Sequence, residues 1–155
     1  MKKTNFLLYL FIYLCSVSLL TAQTAEIQIK TDKAFGSEVS ILPKTNSYDT
    51  PILIDWGDGT TESYNVDPNA SGFFAKVSGS IKGETIRILS SLTKLEASEL
   101  EITSFTATGQ TELKYLDLSK NKLTKETFVL NEDAPIENLN LKENDFTLLN
   151  LSPYK

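Results

Sequence analysis

The chain of 155 residues has no histidine, and its one cysteine, Cys15, lies in an apolar run near the N-terminus. Without an imidazole, neither a Ser-His-Asp nor a Cys-His nucleophile can be assembled, because each needs a base to take the proton of the attacking group. The same lack removes H-E-x-x-H and Cys/His zinc sets, and no P-loop is present. A disulfide framework is excluded, since one thiol has no second thiol to meet. Basic residues are the minority, 15 Lys and Arg against 20 Asp and Glu, and they form no stripe. A nucleic-acid partner needs clustered cations to neutralise phosphates, so that class is set aside. Helical spacing of apolar residues is missing from Ala25 to Ile86.

What is present begins with the layout of an export signal. Lys2 and Lys3 precede the uncharged run from Phe6 to Leu20, followed by the small and polar "TAQTAEIQ". The run is shorter than the roughly 20 residues that span a bilayer, which disfavours a retained anchor. Cleavage is expected after Ala22, with Ala25 the second choice. Leu14 stands before Cys15 where a lipobox would place a small residue, so Cys15 is expected to leave with residues 1–22. The basic count then falls from 15 to 13 and the net charge from −5 to −7. The mature chain has neither Cys nor His and is expected to hold no stable membrane span.

Two periodicities divide the remainder. From residue 23 to 86, apolar residues alternate in short runs: Ile27 and Ile29; Val39 and Ile41; Ile52, Ile54 and Trp56; Tyr64 and Val66; Phe73, Ala75 and Val77. Turn-forming groups such as "FGS", "GDGT" and "DPNASG" separate them. This pattern predicts a small antiparallel β-sandwich. From residue 87 to 155 the pattern changes. Segments beginning at Leu92, Leu113 and Ile136 carry apolar residues or Ala at their first, fourth, sixth and eleventh places. These are Leu92, Leu95, Ala97 and Ile102; Leu113, Leu116, Leu118 and Leu123; Ile136, Leu139, Leu141 and Phe146. This is the leucine-rich frame L-x-x-L-x-L-x-x-N-x-L, which predicts about three coils of a short solenoid. Asn121 and Asn144 hold the ninth place, where a carboxamide can satisfy backbone groups at the turn. Leu100 replaces Asn in the first segment, as suits an irregular terminal repeat. The arms after each strand share apolar places, Ile102 with Phe105 and Phe146 with Leu149.

With both halves in view, the chain resembles secreted leucine-rich-repeat proteins of Gram-negative gut and oral anaerobes, the internalin-like group. The resemblance rests on "LIDWGDGT" from Leu53, "SGSIKGETIRI" from Ser78 and the repeats from Leu92, in that order. It implies export to the outer cell surface or the medium and recognition of a protein or host surface by a non-enzyme. The "WGDGT" string is also similar to the turn of PKD-type β-sandwiches, which implies a carbohydrate- or Ca²⁺-dependent accessory module; a scaffold role alone is the third alternative.

Three candidate sites follow. Asp55, Asp58 and Thr60 offer side-chain oxygens for a metal. Ca²⁺ wants six to eight oxygens, so three leave the set short, and no resident cofactor is expected. Asp55 and Asp58 are also close enough for a carboxylate pair, but they flank a convex turn rather than a cleft that would shelter a general acid. The turn itself is the stronger reading: Gly57 and Gly59 accept positive φ, and Trp56 follows the inward face of Ile52 and Ile54. The third candidate is the concave face of the repeats. Its outward residues are Lys94, Glu96 and Ser98; Tyr115, Asp117 and Ser119; Asn138, Asn140 and Lys142. Tyr115, large, stiff and amphipathic, is the expected anchor for a protein or glycan ligand.

Overall fold

Ile27 and Ile29 alternate with polar neighbours in β1 (Glu26–Thr31), and both are buried. Val39, Ile41 and Pro43 are likewise buried at alternate places in β2 (Glu38–Lys44), with Ser40 and half-buried Leu42 between them. The strands β3 (Ile52–Asp55), β4 (Thr61–Tyr64), β5 (Val77–Ser80) and β6 (Ile86–Ile88) follow, joined by turns. Then come β7 (Lys94–Glu96), β8 (Ile102–Thr108), β9 (Tyr115–Asp117), β10 (Phe128–Leu130) and β11 (Asn138–Asn140). The computed structural model describes residues 24–69 and 76–147. The expected signal segment, Phe73, Ala75 and Leu149 lie outside those residues.

The strands form two mixed sheets, and no helix occurs among the described residues. One sheet has six strands in the order β10-β8-β1-β6-β3-β4; the other has five, β11-β9-β7-β2-β5. The chain is therefore mainly β, with a sandwich-like arrangement around a shared core. Pairing within the first half is antiparallel, as β3–β4, β1–β6 and β2–β5 show. Pairing among the later strands is parallel: β7–β9–β11 in one sheet and β8–β10 in the other. Side chains 21 to 23 residues apart thus stand in register, Lys94 beside Tyr115 and Tyr115 beside Asn138.

Both sheets run through the boundary expected between residues 86 and 87. That boundary falls inside β6. β1 sits between β6 and β8, while β2 sits between β5 and β7. One hydrophobic cluster joins Ile27, Ile54 and Trp56 to Leu95, Phe105 and Leu116. The physical reason is that β1 and β2 each have two edges, and an unpaired edge in the interior would leave backbone polar groups unsatisfied. The inward residues of the first two repeat segments are fully buried, from Leu92 to Leu123. Those of the third, Ile136, Leu139, Leu141 and Phe146, are half-buried, because β10 and β11 are edge strands among the described residues.

Candidate functional site

The turn Ile54–Thr60 closes the β3–β4 hairpin. Gly57 and Gly59 have φ of 116° and 81°, values that side chains rarely accept. Asp55 is 8% exposed, and its Oδ1 accepts the N–H of Gly57 at 2.8 Å and of Gly59 at 3.0 Å. Asp58 Oδ1 accepts both the N–H and the hydroxyl of Thr60, at 2.9 and 2.6 Å. Those two bonds, helped by Lys82, lower the Asp58 carboxyl from 3.8 to about 2. One oxygen of each carboxylate considered for a metal is thus engaged by the turn's own donors, and the second oxygen of Asp58 faces Lys82. Among the described residues no group of three or more Asp, Glu, His or Cys converges.

The turn also grips the segment after β5. Trp56 O accepts the Lys82 N–H at 2.8 Å. The indole lies so close to Gly79 that a Cβ there would be 2.1 Å from Trp56 Cε2. A Cβ on Gly83 would be 2.0 Å from Gly57 O. Gly57 and Gly83 therefore meet backbone to backbone, and Gly79 makes room for the Trp56 indole. Trp56 Nε1 donates to Tyr64 Oη at 2.9 Å, and Tyr64 Oη donates to Glu62 at 2.6 Å. Lys82 Nζ completes the network with Glu62 at 2.8 Å and Asp58 at 3.3 Å. The Lys82 hydrogen bond, then that of Tyr64, lowers the Glu62 carboxyl. Beside the turn is an open groove of about 330 Å³ lined by Asp55, Gly57, Gly59, Glu84, Thr85 and Arg87.

The second candidate surface is the outer face of the five-stranded sheet. Register places Lys44, Lys94, Tyr115 and Asn138 in one row and Leu42, Glu96, Asp117 and Asn140 in the next. The nine residues expected on this face come from β7, β9, β11 and the turns that follow them. Lys94 Nζ pairs with Glu96 at 2.5 Å and lies 4.3 Å from the Tyr115 ring centroid. Asp117 Oδ1 accepts the N–H and the hydroxyl of Ser119, and its Oδ2 accepts Asn140 Nδ2 at 2.8 Å. Burial pushes the Asp117 carboxyl up, but the Ser119 and Asn140 bonds together outweigh it, so the group sits below its usual range. Asn140 Oδ1 accepts the Lys142 N–H at 3.2 Å. Ser98 and Lys142 are exposed at the strand ends.

Two polar ladders tie adjacent segments to one another. Asn121 is buried; its Oδ1 accepts Leu100 N–H and Ile102 N–H at 3.0 Å each. Its Nδ2 donates to the carbonyls of Ala97, Leu118 and Ser119. Asn144 repeats the pattern one row on, donating to Leu118, Leu141 and Lys142 and accepting from Leu123. At the opposite end, fully buried Gln110 accepts Leu92 N–H at 3.0 Å and donates to Ser90 O at 3.1 Å. Asn131 Oδ1 accepts the Gln110 N–H at 3.2 Å. The eighth places of the frame, Glu99, Lys120 and Glu143, all have φ of 55–59°.

Sequence reasoning missed Ser40, Leu42 and Lys44, which extend the outer face onto β2, and it missed Gln110 and Asn131. The first three were signalled only by the alternation of Val39, Ile41 and Pro43. The amides were signalled by standing 21 residues apart, each 18 residues after the first apolar place of its segment. No protein-family model, curated protein or solved structure matches the chain. Among the described residues no helix is long and apolar enough to cross a membrane.

Proposed function

We propose that the protein is an exported, non-enzymatic recognition protein whose ligand rests on the outer face of the five-stranded sheet. In this reading β7, β9 and β11, with β8 and β10 behind them, are coils of a leucine-rich solenoid, and the first-half strands cap it. The family reading is the internalin-like one, with residues 1–22 as the signal. The observation that carries it is the pair of in-register rows crossing β2, β7, β9 and β11 with Tyr115 at their centre. Repeated strands that hold their inward residues constant leave the outward ones to serve recognition. The absence of His, and of Cys beyond Cys15 in the expected signal, supports a role without catalysis.

The test is binding of the exported chain to a panel of extracellular-matrix and cell-surface proteins. Replacing Tyr115→Ala together with Asp117→Asn removes the anchor while keeping a polar group of the same shape at 117. Binding is expected to fall at least tenfold while the fold is retained, with only a modest drop in melting temperature from the weakened Asp117 and Lys94 contacts, since buried aromatic anchors carry much of an interface's energy. A partner bound equally well by the double variant refutes the assignment to this face. A second reading, a Ca²⁺- or carbohydrate-dependent accessory module, is favoured only by the groove between Asp55 and Arg87.

A further inference from the structure

Tyr115 is half-buried, with a cation against its ring and a shallow hollow at its border with β11. Lys94 approaches from β7, with Nζ 4.3 Å from the ring centroid. Toward β11 the ring borders a shallow hollow of about 140 Å³, lined with Asn138, Leu139 and Asn140. The polar groups there are carboxamides. Asn138 makes no side-chain hydrogen bond among the described residues and is exposed. Asn140 is held in place, donating to Asp117 Oδ2 at 2.8 Å and accepting the Lys142 N–H at 3.2 Å. Those contacts leave one N–H and one lone pair of its amide unused. The charges at the rim are already answered within the protein: Lys94 by Glu96, and Asp117 by Ser119 and Asn140.

We infer that this hollow is a subsite for one pyranose ring of a neutral glycan. The inference rests on the proposed reading of the outer face and names its ligand class. A sugar ring presents a flat C–H face, which suits the part of Tyr115 that lines the hollow, and a rim of hydroxyls, each both donor and acceptor. A carboxamide offers a donor and an acceptor side by side, so Asn138 and Asn140 match adjacent hydroxyls. The cation on the ring itself, Lys94, is already paired with Glu96, which favours a neutral sugar there; exposed Lys142, two residues past Asn140, is a cation of this face without a salt bridge among the described residues. The volume is below the roughly 300 Å³ at which drug-sized pockets begin, which limits the subsite to about one ring. A protein partner would need about 800 Å² on this side with several apolar anchors. The rows here supply Tyr115 and half-buried Leu42 as their large carbon-rich groups.

The experiment applies the exported chain to an array of neutral, sialylated and sulfated oligosaccharides. Free methyl glycosides of glucose, galactose and mannose are then titrated by NMR. Neutral hexose-terminated glycans are expected to bind, with Tyr115→Ala weakening binding about tenfold, Asn138→Ala weakening it less, and Tyr115→Trp preserving it. Thermal melts of each variant exclude loss of fold. Binding restricted to anionic glycans, or none at all, overturns the inference. So does neutral-glycan binding that survives Tyr115→Ala and is lost with Arg87→Ala, which would move the sugar to the Asp55 groove. The broader reading fails separately: a blank array with a protein partner lost on Tyr115→Ala/Asp117→Asn sinks the sugar and keeps the face. A ligand of either class that neither set of changes affects sinks both.

Discussion

Asn121→Ala tests what holds the rows in register. The carboxamide makes five hydrogen bonds to backbone groups of two adjacent segments. Truncation leaves the N–H groups of Leu100 and Ile102 without that acceptor in a buried setting, and it removes a donor from Ala97 O. A buried polar group stripped of its partner costs about 1–3 kcal/mol. Leu118 O keeps the Asn144 amide and is spared. Water re-entering the gap recovers part of the loss, so the net cost is about 3–5 kcal/mol. Total stability of a domain is about 5–15 kcal/mol, so this is a large share of it. At this chain length the melting temperature should drop by about 10–20 °C. Asn144→Ala, half-buried at the edge of the sheet, should cost about 1–2 kcal/mol. Urea titration and thermal melting by near-ultraviolet circular dichroism measure both. Asn121→Ala melting within 2 °C of the parent, or Asn144→Ala being the more damaging, would refute the ladder as the element that fixes register.

Other outcomes follow from the turn region. Gly79→Ala should destabilise strongly, by about 2–4 kcal/mol in urea titration, because its methyl would lie 2.1 Å from Trp56 Cε2. Gly36→Ala, with nothing within 4 Å but a φ of 83°, should cost only about 1 kcal/mol. The carboxyls of Asp58, Glu62, Glu99, Glu101 and Asp117 are all lowered by their partners in the fold. A lowered folded pKa adds stability that is complete above the unfolded value and is lost as pH falls through the folded one. For Asp58 the window runs from about 4 down to about 2. Melting temperature should therefore fall between pH 5 and pH 2, with a shallower fall in Asp58→Asn; identical pH profiles would contradict the Thr60 and Lys82 contacts. Because Asp55 and Asp58 already accept bonds within the turn, EDTA followed by excess Ca²⁺ should move the melting temperature by less than 2 °C. A rise of several degrees with Ca²⁺ would favour the metal reading.

The strands were legible wherever one face is buried and the other wet. Ile27, Ile29, Val39, Ile41, Ile52 and Ile54 alternate in the sequence and are buried in the fold, because period two is a local property of a half-buried strand. The repeat frame marked inward residues for the same reason. Strand partners were not legible. Nothing in "EIQIK" says that Ile27 will stand opposite both Ile88 and Ala107, since pairing over such distances is set by the whole topology. The candidate face was found in part for the same reason: Tyr115 and its column carry a repeat signature, whereas Lys44 joins that row only because β2 pairs with β7. Gln110 escaped because a buried amide looks like any surface amide until its backbone partners are known.

The placement of β1 sets an order of events. Residues 26–31 are made early, yet one of their neighbours is β8, whose last residue is Thr108. A chain emerging from its N-terminus can pair one edge of β1 with β6, but the other edge stays open until β8 has followed, since Glu26 meets Thr108. Contacts so far apart in sequence slow folding and lengthen the time during which an alternating strand can pair wrongly. The later rows add one beside another at the β10 and β11 edges, each close in sequence to the last. The fold should therefore close late around β1 and then extend quickly, with its vulnerable interval at the start.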